Sequence, residues 1–144
     1  MLSDTARYAI KAMVALAERS PGAATITEVA VAASAPRKYL EAVMLRLKRE
    51  GLLVSTRGRT GGYALARPAV EIAVADIIRG LDGPLALAPC ASRTRFRACV
   101  ECEDVASCRI RFVLLEGRDA LAEVLERRTL ADLVATPEVL NNAP

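Results

Sequence analysis

Four cysteines, Cys90, Cys99, Cys102 and Cys108, fall in one short stretch of a 144-residue chain that has no other cysteine and no histidine. Their spacing is Cys-x8-Cys-x2-Cys-x5-Cys. Thiolates are soft donors, so four of them close together suit zinc, copper(I) or an iron–sulfur cluster. The same groups suit dithiol–disulfide exchange, or serve no chemistry at all, and spacing alone leaves these readings open. A structural disulfide is disfavoured if the compartment is reducing. Arg93, Arg95, Arg97, Arg109 and Arg111 surround the cysteines, where they would offset thiolate charge and depress thiol pKa values, or else be simply solvated.

The second group able to do chemistry is basic. Between Pro36 and Pro68 stand eight Lys and Arg residues (Arg37, Lys38, Arg46, Lys48, Arg49, Arg57, Arg59, Arg67) against Glu41 and Glu50, so this block is strongly positive within a chain of net charge only +3. Such a block is an electrostatic footprint for phosphate. With three Tyr, two Phe and no Trp, the chain lacks stacking platforms for single strands, which favours duplex DNA.

These residues need elements to hold them. Ala6, Ala9, Ile10, Met13, Val14 and Ala17 recur at helical spacing over residues 4–19, behind a Ser3 or Asp4 cap. Thr25 and Glu28 form a capping-box pattern opening a short helix to about Ala33. After a brief turn, Pro36 suits an early helical position, and Leu40, Val43, Met44 and Leu47 line one face through to Gly51. Helix, turn and helix is the geometry that lays a second helix in the major groove, so residues 36–50 are the candidate reading helix. Arg37, Lys38 and Glu41 lie at its entering end. Glu41 suits a cytosine amino group and Arg37 a guanine or a phosphate. Residues 52–56 and 63–65 alternate like strands around Arg57-Gly58-Arg59-Thr60-Gly61-Gly62, a glycine-bearing hairpin that brings Arg57 and Arg59 to a minor-groove or phosphate contact.

Residues 72–81 predict a further helix, and the pattern then breaks down through the cysteine segment. From Arg109 the positions Ile110, Val113, Leu114, Leu121, Val124 and Leu125 make an apolar stripe that wants a partner. A short helix over residues 129–134 follows, and Pro137 onward is expected to fray. The fold class expected is mainly α with a small β-hairpin wing: a winged helix-turn-helix over 1–84, a cysteine-bearing sensor loop over 85–108, and a dimerisation helix with tail over 109–144. The longest uncharged run is too short for a membrane span, and charges at Asp4, Arg7 and Lys11 interrupt a signal-like start, so a cytoplasmic protein without membrane contact is expected. No enzyme is expected either. There is no histidine for a Cys-His or Ser-His pair and no phosphate-binding glycine motif, and Cys99-x-x-Cys102 lacks the βαβ setting of a thioredoxin-like pair.

Ala6-Arg7-Tyr8-Ala9-Ile10, Tyr39-Leu40-Glu41, Leu45-Arg46-Leu47-Lys48, Gly51-Leu52-Leu53, the wing through Gly61-Gly62-Tyr63, and Asp76-Ile77-Ile78 occur in the order seen in the bacterial IscR and NsrR family of repressors, which the chain closely resembles over about residues 1–134. The resemblance implies a homodimer binding an inverted repeat of double-stranded DNA. It places base reading on Pro36, Lys38 and Glu41 and wing contacts on Arg57 and Arg59. Pro36 and Lys38 stand where small hydroxyl residues are common, and Arg59 where a proline is frequent, so the resemblance does not carry over an operator sequence. It also implies an iron–sulfur cluster, 2Fe-2S or 4Fe-4S, on cysteines ahead of the long helix, which Cys90, Cys102 and Cys108 match. In a chain without histidine Cys99 is the substitute fourth ligand, or a carboxylate such as Asp4 or Glu101, from the same or the partner subunit. Structural zinc, or thiol-redox chemistry without a cluster, is the alternative.

Overall fold

Helix α1 (Asp4–Glu18) is the strut around which the chain is built. Ser3 caps it by accepting from the Ala6 N–H at 3.0 Å, and Ala6, Ala9, Ala12, Met13 and Leu16 are fully buried along one face. Alanines on that face let neighbours approach closely, and four of the other helices pack on it. The computed structural model describes residues 2–59, 61–100 and 102–136. Thr60 of the wing, the alternative ligand Glu101 and the tail from Pro137 lie outside the described residues.

Helix α2 (Ile26–Ala32) begins as its capping box requires: the Thr25 hydroxyl accepts from the Glu28 N–H, and Glu28 accepts from the Thr25 N–H at 2.7 Å. Arg19 donates to the same carboxylate at 2.8 Å. Arg19 first, and then Thr25, hold the Glu28 carboxyl down at about 2, because each bond favours the charged form. The turn after α2 passes through Ser34 at φ 50°, a left-handed conformation uncommon for a residue with a Cβ.

Pro36 is not inside the next helix, as expected from its type, but is the capping residue just before it. Its extended ψ of 127° leaves the first helical turn to Arg37. Helix α3 (Arg37–Arg49) buries Leu40, Val43, Met44 and Leu47 and turns its charged residues outward. Strands β1 (Leu53–Thr56) and β2 (Gly62–Leu65) pair antiparallel with Leu53 opposite Leu65 and Thr56 opposite Gly62. A third short segment completes this wing. Ala24 and Tyr63 exchange two backbone bonds of 2.9 and 2.8 Å, anchoring β2 to the entrance of α2.

The helix expected from residue 72 starts later. A 3-10 turn over Ala69–Glu71 intervenes, and α4 runs Val74–Asp82. Pro68 fixes the chain just before the turn, and Asp76 accepts from the Ala73 N–H at 3.3 Å to open the helix proper. One face of α4 (Ile77, Leu81) joins the main core with α1 and α3, while the other (Val74, Ala75, Ile78) meets Leu85 and Ala122 in a smaller second core.

Helix α5 (Arg109–Arg127) contributes only Ala122 to a buried position. Of its expected stripe, Leu114 and Leu125 are half-buried against the body, whereas Ile110 is 70 %, Val113 62 %, Val124 50 % and Leu121 41 % exposed. A long helix with so much open apolar surface forgoes roughly half of the ~1.5–3 kcal/mol that full burial of each such side chain would contribute. Helix α6 (Leu130–Ala135) then returns to the first core, with Leu130 fully buried. The Thr129–Asp132 capping box and backbone bonds from Val74 to Arg128 and from Leu130 to Ile72 secure it.

Candidate nucleic-acid interface and cysteine site

The α2–turn–α3 unit presents Pro36, Arg37, Lys38 and Glu41 to solvent at the start of α3. Arg37 and Glu41 are one helical turn apart and paired, with Nε donating to Oε1 at 3.1 Å. The acidic residue therefore holds one arginine in a defined place and offsets its charge. Arg57 and Arg59 are exposed on the hairpin between β1 and β2. Gly58 makes that hairpin possible at φ 112°, and its carbonyl accepts from the Gly61 N–H at 3.0 Å. A Cβ on Gly61 would lie 2.5 Å from the Thr56 carbonyl oxygen, so the close return of the chain requires glycine there.

Two supporting contacts were not foreseen from the sequence. Lys48 at the far end of α3 donates from Nζ to Ser55 Oγ at 2.6 Å, which ties the helix to the first wing strand. At the near end, Tyr39 stacks edge-on against Tyr8 with centroids 5.7 Å apart, and its hydroxyl is hydrogen-bonded to Thr5. The first helix thus braces the start of α3.

The cysteine segment follows α4. Cys90 is on a 3-10 turn (Pro89–Ala91) and is 5 % exposed, Cys99 is open, and Cys102 and Cys108 are half-buried. Cys108 is the capping residue of α5. All four are free thiols. Cys99 lies near Cys90, and Cys102 near Cys108. Interaction with Cys90 first, and then burial, push the Cys99 thiol pKa up. Burial first, and then Cys108 and Cys90, push up that of Cys102. For Cys99 and Cys102 the direction is opposite to a depression by arginines, because other thiols and burial rather than guanidinium groups act on them.

Of those arginines, Arg93 pairs with Asp119 and Arg111 donates to the Cys90 carbonyl at 3.0 Å, while Arg95, Arg97 and Arg109 are exposed. Arg93 and then Arg118 hold the Asp119 carboxyl down at about 2. Asp104 was also missed. It accepts from the Ala106 and Ser107 N–H groups at 2.9 and 3.1 Å, shaping the turn between Cys102 and Cys108. The alternative carboxylate Asp4 is exposed and pairs with Arg7 on α1.

Among the described residues no group of three or more Cys, Asp or Glu is set in the arrangement of a metal site. The donor set nevertheless fits a thiolate-ligated metal in its chemistry: the thiols of one segment are near enough to oppose one another's ionisation, and a cation would relieve that repulsion. No helix among the described residues is long and apolar enough to cross a membrane.

Residues 2–136 match the family described as "Rrf2: Iron-dependent Transcriptional regulator". An Rrf2-like helix-turn-helix transcriptional regulator of Rhodobacter capsulatus is 37 % identical over 139 residues, covering 94 % of this chain and 93 % of that protein. Among solved structures, CymR, the global cysteine regulator of B. subtilis, superposes with a TM-score of 0.78 at 31 % identity, covering 96 % of this chain and 98 % of that one. IscR of T. potens superposes with a TM-score of 0.75 at 28 % identity, covering 100 % and 93 %.

Proposed function

The chain belongs to the Rrf2 family of transcriptional regulators, and on that premise we propose that it is a dimeric repressor that reads an inverted-repeat operator and changes its grip according to the state of its four cysteines. DNA binding is the family's activity. The observation that carries the assignment of residues is the outward set at the start of α3 (Pro36, Arg37, Lys38, Glu41), joined through Lys48 and Ser55 to a wing bearing Arg57 and Arg59. The helix reads base edges while the wing arginines take phosphate or the minor groove.

Arg57→Ala and Arg59→Ala are each expected to weaken binding to the operator and to lower the slope of log affinity against log salt by about 0.9 for each phosphate no longer neutralised. Isotherms measured by fluorescence anisotropy over a salt series check this. An unchanged slope in both variants would remove the wing from the interface.

The open apolar face of α5 is the surface by which two copies pair, which sets the distance between reading helices. Cys90, Cys99, Cys102 and Cys108 would hold an iron–sulfur cluster. When bound, such a group supplies a thiolate-ligated iron centre whose charge and integrity respond to oxidants. The chain's own part would be to supply donors from the 3-10 turn, the loop and the cap of α5, with Cys90 kept from solvent. A second reading, zinc or thiol oxidation without a cluster, draws support from the four free thiols of one segment, where Cys99 lies near Cys90 and Cys102 near Cys108. Acid-labile sulfide and iron after anaerobic purification favour the cluster, whereas a colourless zinc-containing protein favours the second reading.

A further inference from the structure

Helix α5 is fastened to the cysteine segment by contacts that leave the thiols alone. Arg93, three residues beyond Cys90, grips Asp119 with a two-pronged fork, Nε to Oδ1 at 3.0 Å and Nη2 to Oδ2. Arg118 holds the same carboxylate from within α5. In the opposite direction Arg111 of α5 donates from Nε to the Cys90 carbonyl at 3.0 Å and places its guanidinium 5.7 Å from the centre of the Phe96 ring. Leu87 closes against Gly117, where an added Cβ would meet its methyl group at 3.4 Å.

We propose that Arg93, Arg111 and Asp119 form a latch that makes the seating of Cys90 and the docking of α5 one equilibrium, so that a change at the thiols reaches the long helix through it. The relay rests on the sensing role proposed above. Arg93 and Asp119 are partly exposed, and a bidentate pair of that kind is specific in geometry yet weak enough to open. Arg111 takes up a backbone carbonyl, so the latch holds the segment's path and not a particular thiol. Displacing Cys90 shifts both anchors together, because Arg93 and the Cys90 carbonyl sit on one short run of chain. Three sites on α5 (Arg111, Gly117, Asp119) would then loosen at once. A two-state element that both sites bias is what coupling between them requires.

The test uses the full chain with Arg93→Ala, Asp119→Asn and the double variant. The rate of N-ethylmaleimide addition is followed at each cysteine by mass spectrometry. Buried Cys90 is expected to react about tenfold faster in each single variant than in the parent, because local opening exposes it. The double variant should react no faster than either single one, and Cys99 should change less than twofold. Thermal melts identify any variant that has merely lost its fold, and Arg93→Lys, which keeps the charge without the fork, serves as the second variant in that event, with an intermediate Cys90 rate expected.

Operator affinity is then compared before and after thiol modification. A several-fold shift is expected in the parent and less than a twofold shift in the variants. Unchanged Cys90 rates, or variants that keep the parent's shift, would overturn the latch. A parent whose affinity ignores thiol modification would instead overturn the sensing role and with it the relay, while the Cys90 rates still report on the contact itself.

Discussion

Gly62→Ala is expected to cost on the order of 3 kcal/mol of stability and to reduce operator affinity by about 100-fold or more. Gly62 sits at φ 154°, at the edge of the region that favours glycine. An added Cβ would lie 2.6 Å from the carbonyl carbon of Ala24 and nearer still to its oxygen. Both are backbone atoms, fixed by the two bonds that Ala24 exchanges with Tyr63, so no side chain can swing aside. The chain must separate β2 from the entrance of α2, which loosens the wing and the first helix of the reading unit together. Gly51→Ala is the control. Gly51 has φ 71° with nothing near its missing Cβ, so only conformational strain of about 1–2 kcal/mol is expected. Thermal unfolding and anisotropy titrations of both variants separate the two causes. Equal losses in the two would show that the Ala24 contact is not what fixes the wing.

If the four cysteines hold the proposed metal or cluster, Cys102→Ser and Cys108→Ser are each expected to remove it and its influence on DNA binding. Structural zinc sites of four ligands are worth about 10–16 kcal/mol, so losing one ligand of such a site costs about 3, or more than 100-fold in metal affinity. Both residues are half-buried, and neither belongs to the main or the second core, so the helices should survive. The expected result is a normal far-ultraviolet spectrum, loss of visible absorbance and sulfide, and an operator affinity that no longer responds to oxidant. Variants that keep the parent's spectrum and its DNA response would show that these thiols are not the sensor.

Local chemistry made much of the fold legible. Thr25 with Glu28 announces a helix start in sequence because the box is closed within four residues, and Leu40, Val43, Met44 and Leu47 show a face because they repeat at 3.6. The glycines of the wing were also readable as a hairpin. What they avoid was not, since Ala24 is 38 residues away from Gly62 and only the folded chain brings them together. The same limit hid the partners of the arginines around the cysteines. Arg93 and Asp119 are 26 residues apart, and Arg111 and Cys90 are 21 apart. Charge counting near the cysteines suggests guanidinium groups beside thiols, but the fold commits Arg93 to Asp119 of α5 and Arg111 to the Cys90 carbonyl. Pro36 stands just outside the helix it was expected to open, because proline suits both the cap and the first turn.

Two copies of this chain are expected to read DNA together, each with α3 and a wing. Selection of bound fragments from a random pool of duplex DNA, followed by sequencing, tests this most directly. The expected result is an inverted repeat whose half-sites are centred about one helical turn or more apart. Enrichment of a single asymmetric site, or of no sequence at all, would contradict it.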